Sequence, residues 1–171
     1  MGPALTIHDL EKTYQGGHVA LNGVGAAEQE LIAAMQSDEV RCTAEHLLSG
    51  PGLLRIYCYL GGTADTPREV TGSVDTDPVA RQAIELLMSL LGGVAADVAL
   101  TLGARGGVYL AGGILPRLRE QLAASEFRRR FEKPGPMQAY LAAIPTWVIT
   151  QPDPALHGLA ACAASQLTSR V

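Results

Sequence analysis

The chain has 171 residues, 47% of them hydrophobic, with a formal net charge of −4 and a pI near 5.5. That length can bury a real core, as one domain or one lobe of a larger enzyme, and the composition excludes a disordered chain. The acidic balance excludes nucleic acid or an anionic membrane surface as the expected partner.

In chain order, the opening residues MGPALTIHDLEK lack a basic segment followed by an apolar one, so no secretory leader is expected. Within them, ALTI at 4–7 is a candidate strand. Residues 26–35, AAEQELIAAM, repeat their apolar positions at helical spacing and predict a helix. Helical character resumes over 43–48 and is expected to stop at SGPG, with Gly50 at positive φ and Pro51 unable to continue. A short helix follows over 53–60 and ends at Gly61 and Gly62. The polar stretch 61–77 reads as a loop holding one short helix at 67–70.

Asp77 and Pro78 make a helix start, with aspartate as N-cap and proline in the first turn. The helix expected from there to Thr101 is almost wholly apolar. Residues 83–104 have the length of a membrane span. Glu85, Asp97 and the pair Gly92 and Gly93 interrupt that stretch, and charge near a bilayer centre is costly. It therefore reads as the buried helix of a soluble protein. GARGG at 103–107 breaks it, and VYLAGG at 108–113 is the first strand.

A helix over 116–124 comes next, then irregular to helical chain over 129–144. TWVIT at 146–150 is the second strand, and a small-residue helix over 154–167 follows. The basic run Arg128, Arg129 and Arg130, set between Glu126 and Glu132, reads as a solvated helix face rather than a phosphate site. Helix, strand, helix, strand, helix is a parallel α/β pattern. Two parallel strands do not make an independent sheet, so further strands are expected, with only 4–7 to supply one here. Cys42, Cys58 and Cys162 show no paired or metal-ligand spacing and read as free thiols in a reducing cytosol. No internal repeat or low-complexity tract is present.

The chemistry concentrates where the first strand hands over to a helix. In VYLAGGILPRL, Gly112 and Gly113 stand at the carboxyl end of a strand, the usual ligand position in an open α/β sheet. Glycines there remove the Cβ atoms that would hold a flat ring or phosphate away, and a following helix start favours anions. The spacing is not that of the dinucleotide fingerprint. Read alone, a simple tight turn explains the pair better.

Several segments together resemble the bacterial glucokinases of the hexokinase and actin-like ATPase superfamily. GGVYLAGGILPRL is similar to their adenosine segment. TAEHLLSGPGLLRIY resembles their sugar-binding glutamate followed by a Ser-Gly-Pro-Gly turn, and QGGHVAL their Glu-Gly-Gly-His loop. SEFRRRFEKPGPMQAYLAAIPTWVITQPDPALHGLAACA follows their C-terminal run in order and spacing. The resemblance covers 15–167 and leaves 1–14 unmatched.

The resemblance implies an α/β fold, the C-terminal lobe of an actin-like ATPase (ribonuclease H-like) fold, with 15–171 as the large domain and a sheet lacking its upstream strands. It implies ATP-dependent phosphorylation of glucose to glucose 6-phosphate at the start of glycolysis, with Mg²⁺ accompanying ATP, in the cytoplasm. It assigns Glu45, His18 and Gln15 to glucose and Gly112 and Gly113 to the nucleotide. A carboxylate can accept from two neighbouring hydroxyls while an imidazole donates to a third, which suits a hexose. Without the resemblance, Glu45 reads as a helix-surface glutamate and His18 as a loop histidine bonded to backbone.

Gln15 departs from the family's glutamate and exchanges one acceptor oxygen for a donor. The family's catalytic aspartate, in an Asn-Asp pair, has no counterpart here. Neither do its two phosphate-cradling glycine loops. Asp9 lies in the unmatched segment and is not promoted to that role, so no catalytic residue is assigned. The His/Cys-rich zinc site of the related sugar-kinase group is also without a match, and no metal ligand is assigned. Two readings follow: a glucokinase component, or a non-catalytic sugar- and nucleotide-binding remnant needing a separate N-terminal lobe or a homodimer.

Overall fold

The computed structural model describes residues 25–36 and 42–168. It is an α/β structure, mostly helical, with a small parallel sheet. Helix α1 is Ala26–Met35, α2 Ala44–Leu47, α3 Gly50–Tyr59, α4 Pro67–Gly72 and α5 Pro78–Leu102. Strand β1, Val108–Leu110, leads through a 3₁₀ turn at Leu115–Arg117 to α6, Arg119–Ala124. Then come α7, Phe127–Glu132, α8, Gln138–Ala142, strand β2, Thr146–Val148, and α9, Pro154–Thr168.

Helix α5 is the beam of the structure. Asp77 caps its start by accepting from the Val79 N–H at 2.8 Å, and Gly103 ends it in the left-handed conformation at φ 60°. The Asp77 carboxylate also accepts from the Tyr57 hydroxyl at 2.6 Å, pinning α3 to the start of α5. Ala80, Ala83, Ile84, Leu87 and Met88 bury the face toward α3 and α7. The helix is long and apolar enough to cross a membrane, yet half of its most apolar stretch is buried inside the protein, as expected of a core helix.

Helix α7 crosses α5 at Gly92. A Cβ there would fall on the Phe127 carbonyl oxygen and lie 3.0 Å from Arg130 Cβ, so only glycine permits the close approach. Phe127 and Phe131, one helical turn apart, are buried with their rings 6.2 Å apart. Burying a side chain as large as Phe131 contributes about 1.5–3 kcal/mol.

The arginine run corrects the expectation of a solvated face. Arg128 stacks over Phe131 and donates to the carbonyls of Ile144 and Ala142, both at 2.9 Å, as well as to Glu132 at 2.7 Å. Arg130 reaches the buried Glu28. Only Arg129, paired with Glu126, is mostly in solvent. The flanking phenylalanines set this geometry, because they turn both neighbours of the buried face inward.

SGPG is the second correction. The helix before it does stop, at Leu48, but SGPG itself opens the next one: the Ser49 hydroxyl accepts from the Gly52 N–H at 3.1 Å, and Pro51 lies in the first turn, where its missing N–H costs nothing. Gly50 is not at positive φ. Gly52 is required because a Cβ would run into the Leu47 carbonyl. Gly61, at φ 92°, ends this helix as expected.

Strands β1 and β2 pair in parallel, with Val108 opposite Thr146, Tyr109 opposite Trp147 and Leu110 opposite Val148. Alternation sends Leu110, Val108 and Val148 toward the helical core. Tyr109 and Trp147 take the other face, stacked at 4.8 Å between ring centroids and exposed. The Trp147 ring lies over the Cα of Gly107, where no Cβ fits.

Candidate functional site

The glucose candidates Gln15 and His18, like Asp9, lie outside the described residues. Glu45 sits in the first turn of α2 and is exposed. This four-residue helix is braced at both ends. The His46 Nδ1 accepts from the Thr43 N–H at 3.2 Å and lies 2.9 Å from the Thr43 hydroxyl, closing a capping box with histidine in the usual Glu position. Arg55, one turn into α3, donates to the His46 carbonyl at 3.0 Å. Glu45 is thus an exposed carboxylate on a short, held segment.

Gly112 and Gly113 are both exposed, just past the buried end of β1. Gly112 adopts φ 140°, a conformation only glycine takes without strain. A Cβ on either glycine would meet open space. The turn therefore demands glycine at 112, and both positions leave bare backbone open to an approaching group. The expected helix after Pro116 is instead the 3₁₀ turn, with α6 starting only at Arg119. The dipole of a six-residue helix set back from the glycines contributes less there than a long helix opening at Pro116 would.

The two segments adjoin. A Cβ on Gly50, at the α2–α3 junction, would lie 3.9 Å from Ile114 Cδ1, the residue after Gly113. Gly50 follows Glu45 by five residues, so the segment after Glu45 runs near the residue that follows the glycine turn.

Two other carboxylates are electrostatically distinctive. Burial pushes the Asp97 carboxyl above its ordinary value, against the pull of the Lys133 ammonium paired with it. Asp97 lies in α5 and its partner just past α7, so the pair fastens two core elements. The Tyr57 hydroxyl holds Asp77 below its ordinary value, in keeping with its capping role. Among the described residues no three His, Cys, Asp or Glu side chains gather as a metal site. Cys42 is buried, which raises its thiol, while Cys58 and Cys162 are exposed. Sequence periodicity missed the buried Glu28, which has no signature beyond its place in the first turn of α1.

A glucokinase family model matches residues 2–166. The glucokinase of Paramagnetospirillum magneticum is 42% identical over 154 residues, 85% of this chain and 48% of that protein. The glucokinase of Chromohalobacter salexigens is 45% identical over 151 residues, 84% of this chain and 47% of that protein. A crystal structure of a glucokinase from an Antarctic psychrotroph superposes with a TM-score of 0.75 at 32% identity, over 86% of this chain and 48% of that one. The chain spans about half the length of the curated relatives it matches.

Proposed function

Because the chain belongs to the glucokinase family, we propose that it forms the hexose- and adenosine-binding half of a cytoplasmic ATP:glucose phosphotransferase. In this reading residues 15–171 are the large C-terminal domain of an actin-like ATPase fold, and the sheet begun by β1 and β2 continues into strands supplied from elsewhere. Glu45 accepts from two adjacent hexose hydroxyls, His18 donates to a third, and Gln15 replaces a charge-assisted bond with a neutral one of roughly half the strength. Adenosine and the α-phosphate lie against the bare backbone of Gly112 and Gly113. Mg²⁺ would come with ATP and supply charge neutralisation on the phosphates.

The observation that supports this reading is the nearness of Ile114 to Gly50: a Cβ built on Gly50 would lie 3.9 Å from Ile114 Cδ1, so the segment after Glu45 runs near the residue after Gly113. Phosphoryl transfer is mostly positioning and charge neutralisation. This chain grips reactants but assigns no residue to take the proton from the attacking hydroxyl. Isothermal titration of the chain with glucose and with Mg·ATP tests it: both bind, Glu45→Gln weakens glucose about tenfold, and Gln15→Glu tightens it. Unaltered glucose affinity in Glu45→Gln would sink the assignment. A coupled assay for glucose 6-phosphate should find no turnover by the chain alone.

The second reading is a binding remnant that works only with a separate amino-terminal lobe or as a homodimer. Helix α9 favours it. Its sequence, PALHGLAACAASQLT, carries no Asp, Glu, Lys or Arg, yet every described side chain from 155 to 164 is exposed. An uncharged helix carrying Leu156 and Leu159 ordinarily covers them against a neighbour, and here both are exposed. Tyr109 and Trp147 leave a further apolar surface open on the sheet. Co-expression with the amino-terminal half of a related glucokinase should yield a stable complex; a chain that stays monomeric and bare would remove this reading.

A further inference from the structure

Glu45 is an exposed carboxylate on a helix only four residues long, and none of the ion pairs among the described residues uses it. A helix of one turn is costly to nucleate and does not hold its shape unaided. Here two braces converge on the neighbouring residue, His46. Its ring closes the start of the helix: Nδ1 accepts from the Thr43 N–H at 3.2 Å and lies 2.9 Å from the Thr43 hydroxyl. Its carbonyl closes the end, accepting from Arg55 Nη1 of α3 at 3.0 Å. Burial raises the Cys42 thiol and the Arg55 charge partly offsets this, so the guanidinium lies close to Cys42 as well as to His46.

The packing beneath this turn decides where Glu45 faces. Leu47 is buried at 2% exposure. Glu45 precedes it by two residues, about 200° around a helix, and so stands on the opposite, open side. Gly52 lets α3 abut the turn, because a Cβ there would run into the carbonyl oxygens of Leu47 and His46. Burial of Leu47 is non-directional and leaves the turn free to roll about its axis. Hydrogen bonds at its two ends are directional and do not. A carboxylate held in place before its ligand arrives binds at a lower ordering cost.

We infer that His46 and Arg55 are positioning residues for hexose binding, fixing the one-turn helix that presents Glu45. This rests on the proposed assignment of Glu45 to glucose, and both residues act through that carboxylate. His46→Ala removes the ring acceptor, whereas His46→Gln restores one in the usual capping-box position. Arg55→Met keeps an apolar stem and removes the donor.

The experiment titrates the full chain and its variants with glucose and with Mg·ATP. Glucose affinity should fall about fivefold in His46→Ala and about threefold in Arg55→Met. In His46→Gln it should return to within about twofold of wild type, and Mg·ATP affinity should stay within about twofold throughout. Exchange of the Leu48 amide, bonded to the Ala44 carbonyl at 2.7 Å, should quicken about fivefold in His46→Ala and in Arg55→Met. A double-mutant cycle decides the role: on a Glu45→Ala background, His46→Ala should weaken glucose no further. Additive losses, unchanged glucose affinity in both single variants, or equal loss of both ligands with a matching fall in thermal midpoint would make the braces merely structural and overturn the inference. Failure of the assignment beneath it looks different. Glucose affinity in Glu45→Ala equal to wild type, or a wild-type chain that binds no glucose, sinks the role of Glu45 and this inference with it, whatever the exchange rates show. Should His46→Ala not fold, Arg55→Met carries the same cycle and the same exchange test.

Discussion

Helices α5 and α9 are both apolar and rich in small residues, but their surroundings are opposite. The first is gripped by α3 and α7 and buries Ala80, Ala83, Ile84, Leu87 and Met88. The second shows every described side chain after Pro154 to solvent. Composition is therefore a statement about what a helix requires, and only tertiary neighbours decide whether the requirement is met. The α5 side is a finished core. The α9 side is an apolar surface that the described residues leave open to solvent.

That contrast can be tested from its strong end. Phe131→Ala empties a fully buried site beneath α5 and should lower stability by about 3–5 kcal/mol, measured by urea denaturation. Gly92→Ala forces backbone apart at the α5–α7 crossing and should cost about 1–3 kcal/mol. A loss below about half a kcal/mol in either would mean the core is looser than its contacts indicate.

A smaller effect tests the α3–α5 staple. The Tyr57 hydrogen bond lowers the Asp77 carboxyl below its ordinary 3.8, so the folded state holds this proton more weakly than the unfolded chain. Its stabilisation is complete above pH 3.8 and fades as pH falls through the lower folded value. Tyr57→Phe should therefore melt below wild type at neutral pH, and the two melting curves should converge in acid. Parallel curves across that range would separate the bond from the titration. The smallest expected change is at the other helix. Leu156→Ser with Leu159→Ser should move the stability of the isolated chain by no more than about 0.5 kcal/mol, because neither side chain has much burial to lose. A large loss would show that α9 is already packed, and would erase the comparison.

Much of this division was legible in the residues. Asp77, Pro78 and the glycines after Thr101 bound α5 closely because capping and breaking are local chemistry. The pairing of 108–110 with 146–148 follows from apolar runs set between helices. SGPG was misread because glycine and proline can end one helix or open the next, and only the Ser49 hydroxyl, with its bond to Gly52, decides between them. The arginine run was misread because a pairing partner over 100 residues away leaves no local trace. In the site, a sharp turn at Gly112 was foreseeable from its place at a strand end. The nearness of Ile114 to Gly50 was not, since it depends on how α3 meets the segment after β1.

The parallel pairing of β1 with β2 also dictates an order of events. Parallel strands cannot close through a tight hairpin, so residues 111–145 must first be gathered into a crossover, at an entropic cost that local helices do not bear. Arg128, clasping the Ala142 and Ile144 carbonyls just before β2, ties the second strand to α7. The sheet is therefore expected to form after the helices beneath it have docked, and φ-values near zero for substitutions at Val108 and Val148 would bear this out.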